Sequence, residues 1–150
     1  MPDTWRERVV TDIFERVLLP VAEEEDARTT ARAFRRHAGD SVVAVHVVEK
    51  AGGAPDKASV EQRELAAEDA FDAVHEELDG ATAVETRIAY GTDVAETVFE
   101  VAGEEDTTSI AFTPRGGSRW VRLLTGDVAL DLITGTDRPV VVLPDSEDDG

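Results

Sequence analysis

The chain is 150 residues long and carries 33 acidic against 15 basic side chains, a formal net charge of −18. That length suits one domain burying roughly 70% of its unfolded surface, and 41% apolar residues set it apart from disordered acidic chains. The charge argues against unassisted contact with nucleic acid or an anionic membrane, and the absence of cysteine excludes disulfides, thiol catalysis and cysteine-based metal sites.

Taken from the N-terminus, residues 4–14 place Trp5, Val9 and Ile13 on one helical face, with Val10 and Phe14 beside it. This predicts an extra amphipathic helix ahead of the main domain rather than a signal peptide. Val17-Leu18-Leu19 reads as a first strand. Ala27, Ala31, Phe34 and Ala38 then recur at helical spacing and stop before Gly39. Glu23-Glu24-Glu25-Asp26 opens that helix, where the partial positive charge of the helix start favours acids.

Ser41 to Val48 is a long second strand, and residues 50–57, with Gly52-Gly53 and Pro55, form a loop. Ser59 and Gln62 have capping-box spacing ahead of a second helix, whose face is Ala67, Phe71, Val74 and Leu78 and whose stop is Gly80. Val84 to Ala89 reads as a third strand. Asp93 is placed to cap a third helix through Val94, Val98, Val101 and Ala102, with Gly103 as its stop. Ser109 to Phe112 is a short fourth strand. After the loop Thr113–Gly126, Ala129, Leu132 and Ile133 outline a last helix ending at Gly135, and Val140 to Leu143 is the fifth strand. The divisions are thus a helical extension over 1–14, one domain over 15–144 and an acidic tail over 145–150.

Strands apolar on both faces, alternating with amphipathic helices, predict an α/β fold: a doubly wound parallel sheet with helices on both faces. Ligands of such sheets bind beyond the C-terminal strand ends, where the strand order reverses. With five strands the crevice falls beside the first, between the loops Pro20–Glu25 and Thr113–Gly126.

One stretch departs from the rest of the chain. Residues 107–126, TTSIAFTPRGGSRWVRLLTG, hold no acid and three arginines, Arg115, Arg119 and Arg122. A strand, a glycine-rich loop and a helix start together suit an anion. The structural alternative is a loop packed against another subunit.

Several pieces resemble the universal stress protein family. Gly116, nine residues and Gly126, followed by Val128-Ala129, match the second half of its G-x-x-G-x9-G-[S/T] nucleotide loop. The opening strand VLLPVAEE, Val45-His46-Val47-Val48-Glu49, Tyr90-Gly91 and Arg138-Pro139-Val140-Val141-Val142 are similar to other family segments. The resemblance implies five strands in the order 3-2-1-4-5 and a homodimer formed through Val140, Val141, Val142 and Leu143. It also implies a nucleotide cleft bounded by Pro20, Val21, Ala22, Val47, Thr113, Arg115, Gly116, Gly117, Ser118, Gly126, Asp127 and Val128.

Three of these positions differ from the ATP-binding pattern. Ala22 stands where the family has an acid that contacts adenosine, Thr113 replaces the first loop glycine, and Asp127 replaces the hydroxyl residue at the phosphates. The expectation is therefore a degenerate ATP site. AMP or another small anion is the alternative ligand, held by Arg115 or Arg119 with the Gly116, Gly117 and Ser118 amides and resting on the backbone of Val21 and Val47. A protein-interaction module without a ligand is a further alternative.

Nothing predicts an enzyme. His37, His46 and His75 fall on different elements, and neither a G-x-S-x-G elbow nor an H-E-x-x-H motif occurs. The acid clusters 23–26 and 104–106 lack the spacing of a calcium loop, so no metal is expected. A phosphoacceptor receiver domain shares the α/β pattern, but Tyr90-Gly91 follows the third strand where it needs an aspartate, and no lysine follows Val142. Scarce lysine with dense carboxylates suits a cytoplasm rich in salt, where screening tolerates surface repulsion. A cytoplasmic location and an unidentified protein partner complete the expectations.

Overall fold

A computed structural model describes residues 13–37, 40–49, 57–80, 82–113 and 138–143. Outside the described residues lie nearly all of the expected N-terminal helix, Gly39, most of the 50–57 loop, the acid-free loop with Arg115, Gly116, Gly117, Ser118, Gly126, Asp127 and Val128, the last helix with Gly135, and the acidic tail.

The elements run β1 (Arg16–Pro20), α1 (Glu24–Arg35), β2 (Ser41–Glu49), α2 (Lys57–Leu78), β3 (Ala83–Gly91), α3 (Val94–Glu104), β4 (Ser109–Phe112) and β5 (Val140–Val142). The strands form one five-stranded sheet in the order β3-β2-β1-β4-β5, every neighbouring pair parallel. This is the expected doubly wound α/β architecture.

Right-handed crossovers put α1 and α2 on one face while the chain steps outward from β1 to β3, and α3 on the other once it returns to β4. Alternation along the strands feeds two cores. Val17, Leu19, Val42 and Ala44 join Ala31 and Phe34 of α1 and Phe71 and Val74 of α2. Leu18, Val43, Val45 and Val47 join Val98, Val101 and Ala102 of α3. Both faces of β1 and β2 are therefore covered, which is why their sequences are nearly continuous apolar runs.

Local chemistry departs from expectation at five points. First, α2 begins at Lys57, which places Ser59 inside the helix and not at its N-cap. Second, Gly103 lies within α3. The left-handed residue is Asp106, with φ 56°. Its N–H donates to the Gly103 carbonyl and that of Thr107 to Ala102, which closes the carbonyls of the last turn. Aspartate tolerates this conformation because its short polar side chain costs little there, so the periodic glycine was not needed.

Third, β3 takes the edge position that the expected order gives it but is not buried on both faces; only Ala89 within it is buried. Glu85 and Arg87 face outward into ion pairs on the α3 side, with Arg16 and with Glu104 and Glu105. Fourth, Leu143 lies one residue past β5 and is buried in the α1–α2 core, leaving Val140, Val141 and Val142 as the strand. Fifth, Asp26 is a buried member of the acid cluster and not a solvated one.

Other expectations hold. Asp93 accepts a hydrogen bond from the Glu96 amide at 3.0 Å and caps α3. Gly80, at φ 76°, ends α2 in the left-handed region. Gly91 has a different requirement: a methyl there would overlap Thr97 Oγ1, so only a bare backbone lets the start of α3 approach β3.

Candidate functional site

The strand order reverses between β1, which leads out to β2 and β3, and β4, which leads out to β5. The crevice therefore opens at the C-terminal ends of β1 and β4. On one wall β2 continues beyond the last β1–β2 pair, Pro20 with Val45, so that Val47 and Val48 project past the end of β1.

Pro20 and Val21 are buried and Ala22 is half-buried at this reversal. Four hydrogen bonds fix the turn that leaves β1. The Val21 amide donates to the Val45 carbonyl at 2.8 Å, extending the ladder by one bond. The Val21 carbonyl accepts from His46 Nδ1 at 3.2 Å, which assigns the ring proton to Nδ1 in that contact. The Ala22 amide donates to Asp26 Oδ2 at 2.9 Å and the Glu23 amide to Asp26 Oδ1. His46, 7% exposed, is thus a buried histidine with a backbone partner at this turn.

Asp26 controls the electrostatics of the turn. Its side chain sits on the first turn of α1 and folds back to satisfy two amides that would otherwise be orphans at the helix start. Burial pushes its carboxyl up to about 6, against the pull of the Ala22 and Glu23 amides, which favour the ionised form, and Glu23's charge adds to the upward push. Both carboxylate oxygens are used inside the turn.

Across the crevice, Thr113 follows β4 directly and is fully buried. Its Oγ1 lies 3.0 Å from Thr30 Oγ1 of α1, itself buried. The residue at the position of the first loop glycine therefore has its hydroxyl in a bond to α1.

Of the sequence-predicted cleft, the structure brings Pro20, Val21, Ala22, Val47 and Thr113 to one end of the sheet. Sequence reasoning missed Asp26 and Thr30. The Glu23-x-x-Asp26 spacing, an acid three residues into a helix, was the available signal for the first. Nothing local marked the second, since its partner is 83 positions away. Among the described residues, no helix is long and apolar enough to cross a membrane.

A parallel sheet with a single reversal beside β1, and a crevice lined by the ends of β1, β2 and β4, defines a doubly wound α/β protein of the kind that binds ligands at its switch point. The universal stress protein family model matches residues 14–144, and the chain belongs to that family. No curated protein gives a significant match.

Solved structures share the fold at low identity. A universal stress protein from Archaeoglobus fulgidus, in complex with dAMP, is 20% identical with a TM-score of 0.62, covering 87% of this chain and 98% of that one. A universal stress protein in complex with cAMP is 17% identical with a TM-score of 0.63, covering 89% and 99%. One from Lactobacillus plantarum is 22% identical with a TM-score of 0.60, covering 87% and 97%.

Proposed function

We propose that this chain is a non-catalytic, regulatory universal stress protein of the cytoplasm that works as a homodimer and whose adenine-nucleotide site no longer retains ATP. The observation that carries the reading is at the end of β1. Ala22 supplies a methyl group where the family's ATP binders present an acid to adenosine. Asp26, four residues on, is buried with both oxygens turned to the Ala22 and Glu23 amides, so it is committed to the turn rather than presented to a ligand.

The sequence of the loop supports the same conclusion. By the family motif, Asp127 stands at the hydroxyl residue that meets the phosphates, so a bound triphosphate would face a fixed negative charge. Two like charges repel by roughly 4 kcal/mol at about 4 Å with an effective dielectric near 20, which outweighs the ~1 kcal/mol of a typical hydrogen bond.

Calorimetry at high salt tests this. The wild type is expected to show no ATP heat into the millimolar range, and the pair Ala22→Asp with Asp127→Ser to gain at least about tenfold in affinity, or ~1.4 kcal/mol. Micromolar binding by the wild type would overturn the reading.

A second reading is favoured by the relatives solved with dAMP and cAMP, both monophosphates. In it AMP rests on the backbone of Val21 and Val47, and Arg115 or Arg119 with Gly116, Gly117 and Ser118 receives the phosphate. Loss of AMP binding in Arg115→Ala supports it, and unchanged binding in all the single arginine variants overturns it.

The homodimer is proposed through β5, which ends the sheet beside β4. Val142 is 49% exposed, whereas Val141 packs against the core, so Val142→Asp is the cleaner probe. It is expected to sediment as a monomer; an unaltered dimer would exclude β5 as the contact.

A further inference from the structure

The opposite edge of the sheet has no assigned role. β3 pairs with β2 through nine consecutive residues, Ala83 to Gly91, and no described strand lies beyond it. Folded proteins blunt such edges with short strands, proline, lysine or a bulge. This edge has none of those: it is long, its register is unbroken, and residues 83–91 contain neither proline nor lysine. Its charged residues, Glu85 and Arg87, lie on the α3 side, where they ion-pair within the chain.

The order of residues along this edge is self-complementary. In an antiparallel pair of two copies, a two-fold axis normal to the sheet must pass through one residue and keep each face matched to itself. Centred on Thr86, Glu85 faces Arg87 of the second copy and Arg87 faces its Glu85. Val84 and Ile88 face each other in both directions on the opposite side, threonine meets threonine at the axis, and exposed Tyr90 covers Thr82. Opposite charges, β-branched pairs and paired threonines are the cross-strand combinations that stabilise a sheet. Centring on Glu85 or Arg87 would set like charge against itself.

We infer that β3 is a second self-association edge, on which another copy of this chain pairs antiparallel about Thr86. Long-range charge opposes that contact. Glu68, Asp69, Asp72, Glu76 and Asp79 are exposed on α2 and its end, the helix beside β3, and two such helices approach across the axis. Net charge −18 on each copy adds to the repulsion. Salt shortens the screening length from about 10 Å at ~0.1 M to about 3 Å at ~1 M, so the edge is closed to partners in dilute buffer and opens in concentrated salt. Combined with β5 pairing, it extends dimers into longer assemblies.

The test uses the full chain with Val142→Asp, which separates the two edges. By sedimentation this variant is expected to be monomeric at ~0.1 M KCl and to rise about twofold in mass at ~2 M KCl. Adding Thr86→Lys, which opposes two ammonium groups at the axis, should abolish the rise, and Thr86→Val should preserve it. Because the chain has no cysteine, Thr86→Cys gives an independent measurement. Residues facing themselves across an antiparallel pair sit about 4.5–5.5 Å apart at Cα, within disulfide reach. Oxidation at high salt should link this variant and leave Ala83→Cys, about 20 Å from its own copy, unlinked. Equal linking at both positions, or a mass rise untouched by Thr86→Lys, would overturn the inference. A Val142→Asp protein still dimeric in dilute salt would instead sink the β5 proposal, with Thr86→Lys then showing whether β3 holds that dimer.

Discussion

Asp26 shows how one side chain settles the character of a site. Its carboxylate closes two backbone amides at the β1–α1 turn, and its burial raises its proton affinity. The folded value of about 6 stands above the ordinary aspartate value of 3.8, so between these two the folded state binds more protons than the unfolded one. The resulting stabilisation is full below the unfolded value and is lost as pH rises through the folded one. Urea unfolding should find the wild type more stable at pH 4.5 than at pH 7 by about 2 kcal/mol relative to Asp26→Asn, which lacks the titrating group. Parallel pH profiles for the two proteins would show that Asp26 does not titrate in that window.

Thr30 and Thr113 make the same point without charge. Two buried hydroxyls on α1 and at the end of β4 satisfy each other, which neither could do in apolar surroundings alone. Their meeting was not legible in the sequence, because hydrogen-bond partners far apart along the chain leave no periodic trace. Asp93, by contrast, could be read as a cap, because its partner amide lies three residues away.

Among the elements, α1 and α2 are joined by apolar packing beneath and ion pairs above. Arg28 contacts Glu76 and Glu77 at 2.9 Å each, and Arg32 contacts Glu77 at 3.1 Å. Burial pushes the Glu77 carboxyl up, but hydrogen bonds from Arg28 and Arg32 and their positive charge overcome this and hold it below the ordinary carboxylate range. Glu77, with a side chain 13% exposed, is the sheltered member of the group. Its contribution is present above the unfolded value and lost as pH falls through the depressed one. Chemical denaturation of Glu77→Ala at pH 7 should show a loss of about 2 kcal/mol, shrinking in strong acid where the wild type also loses the pair. Exposed Glu24 and Glu76 are worth far less, because water screens them.

The strands illustrate what pattern alone conveys. Continuous apolar runs at β1 and β2 signalled cover on both faces, and α1, α2 and α3 provide it. β3 reads similarly at its ends, but Glu85-Thr86-Arg87 in its middle lie outside the core, so the expected cover on both faces fails there. The end of α3 was misplaced for a related reason: a glycine near the end of an apolar stripe invites the left-handed role, and Asp106, three residues after Gly103, takes it instead, with the Thr107 amide closing the helix.

For the whole molecule the governing quantity is charge. Thirty-three acids on 150 residues leave a net charge of −18, and compacting that charge costs free energy that screening returns. The melting temperature should rise by roughly 5–10 °C between about 0.1 M and 2 M KCl. Scanning calorimetry checks this, and a flat or falling curve would show that local ion pairs such as Arg28–Glu77 outweigh the overall repulsion.

The amino-acid sequence alone determined the alternation of strand and helix, the cover on both faces of the central strands, the family resemblance and the burden of negative charge. Each is a property of composition or of short-range period, which a linear chain carries before it folds. Tertiary structure decided which acid of Glu23-Glu24-Glu25-Asp26 turned inward, that Thr30 would meet Thr113, and that β3, at the edge the resemblance implied, would leave all but Ala89 outside the core. Those outcomes depend on which segments become neighbours in the sheet, and burial then sets the cost of every polar group left without a partner.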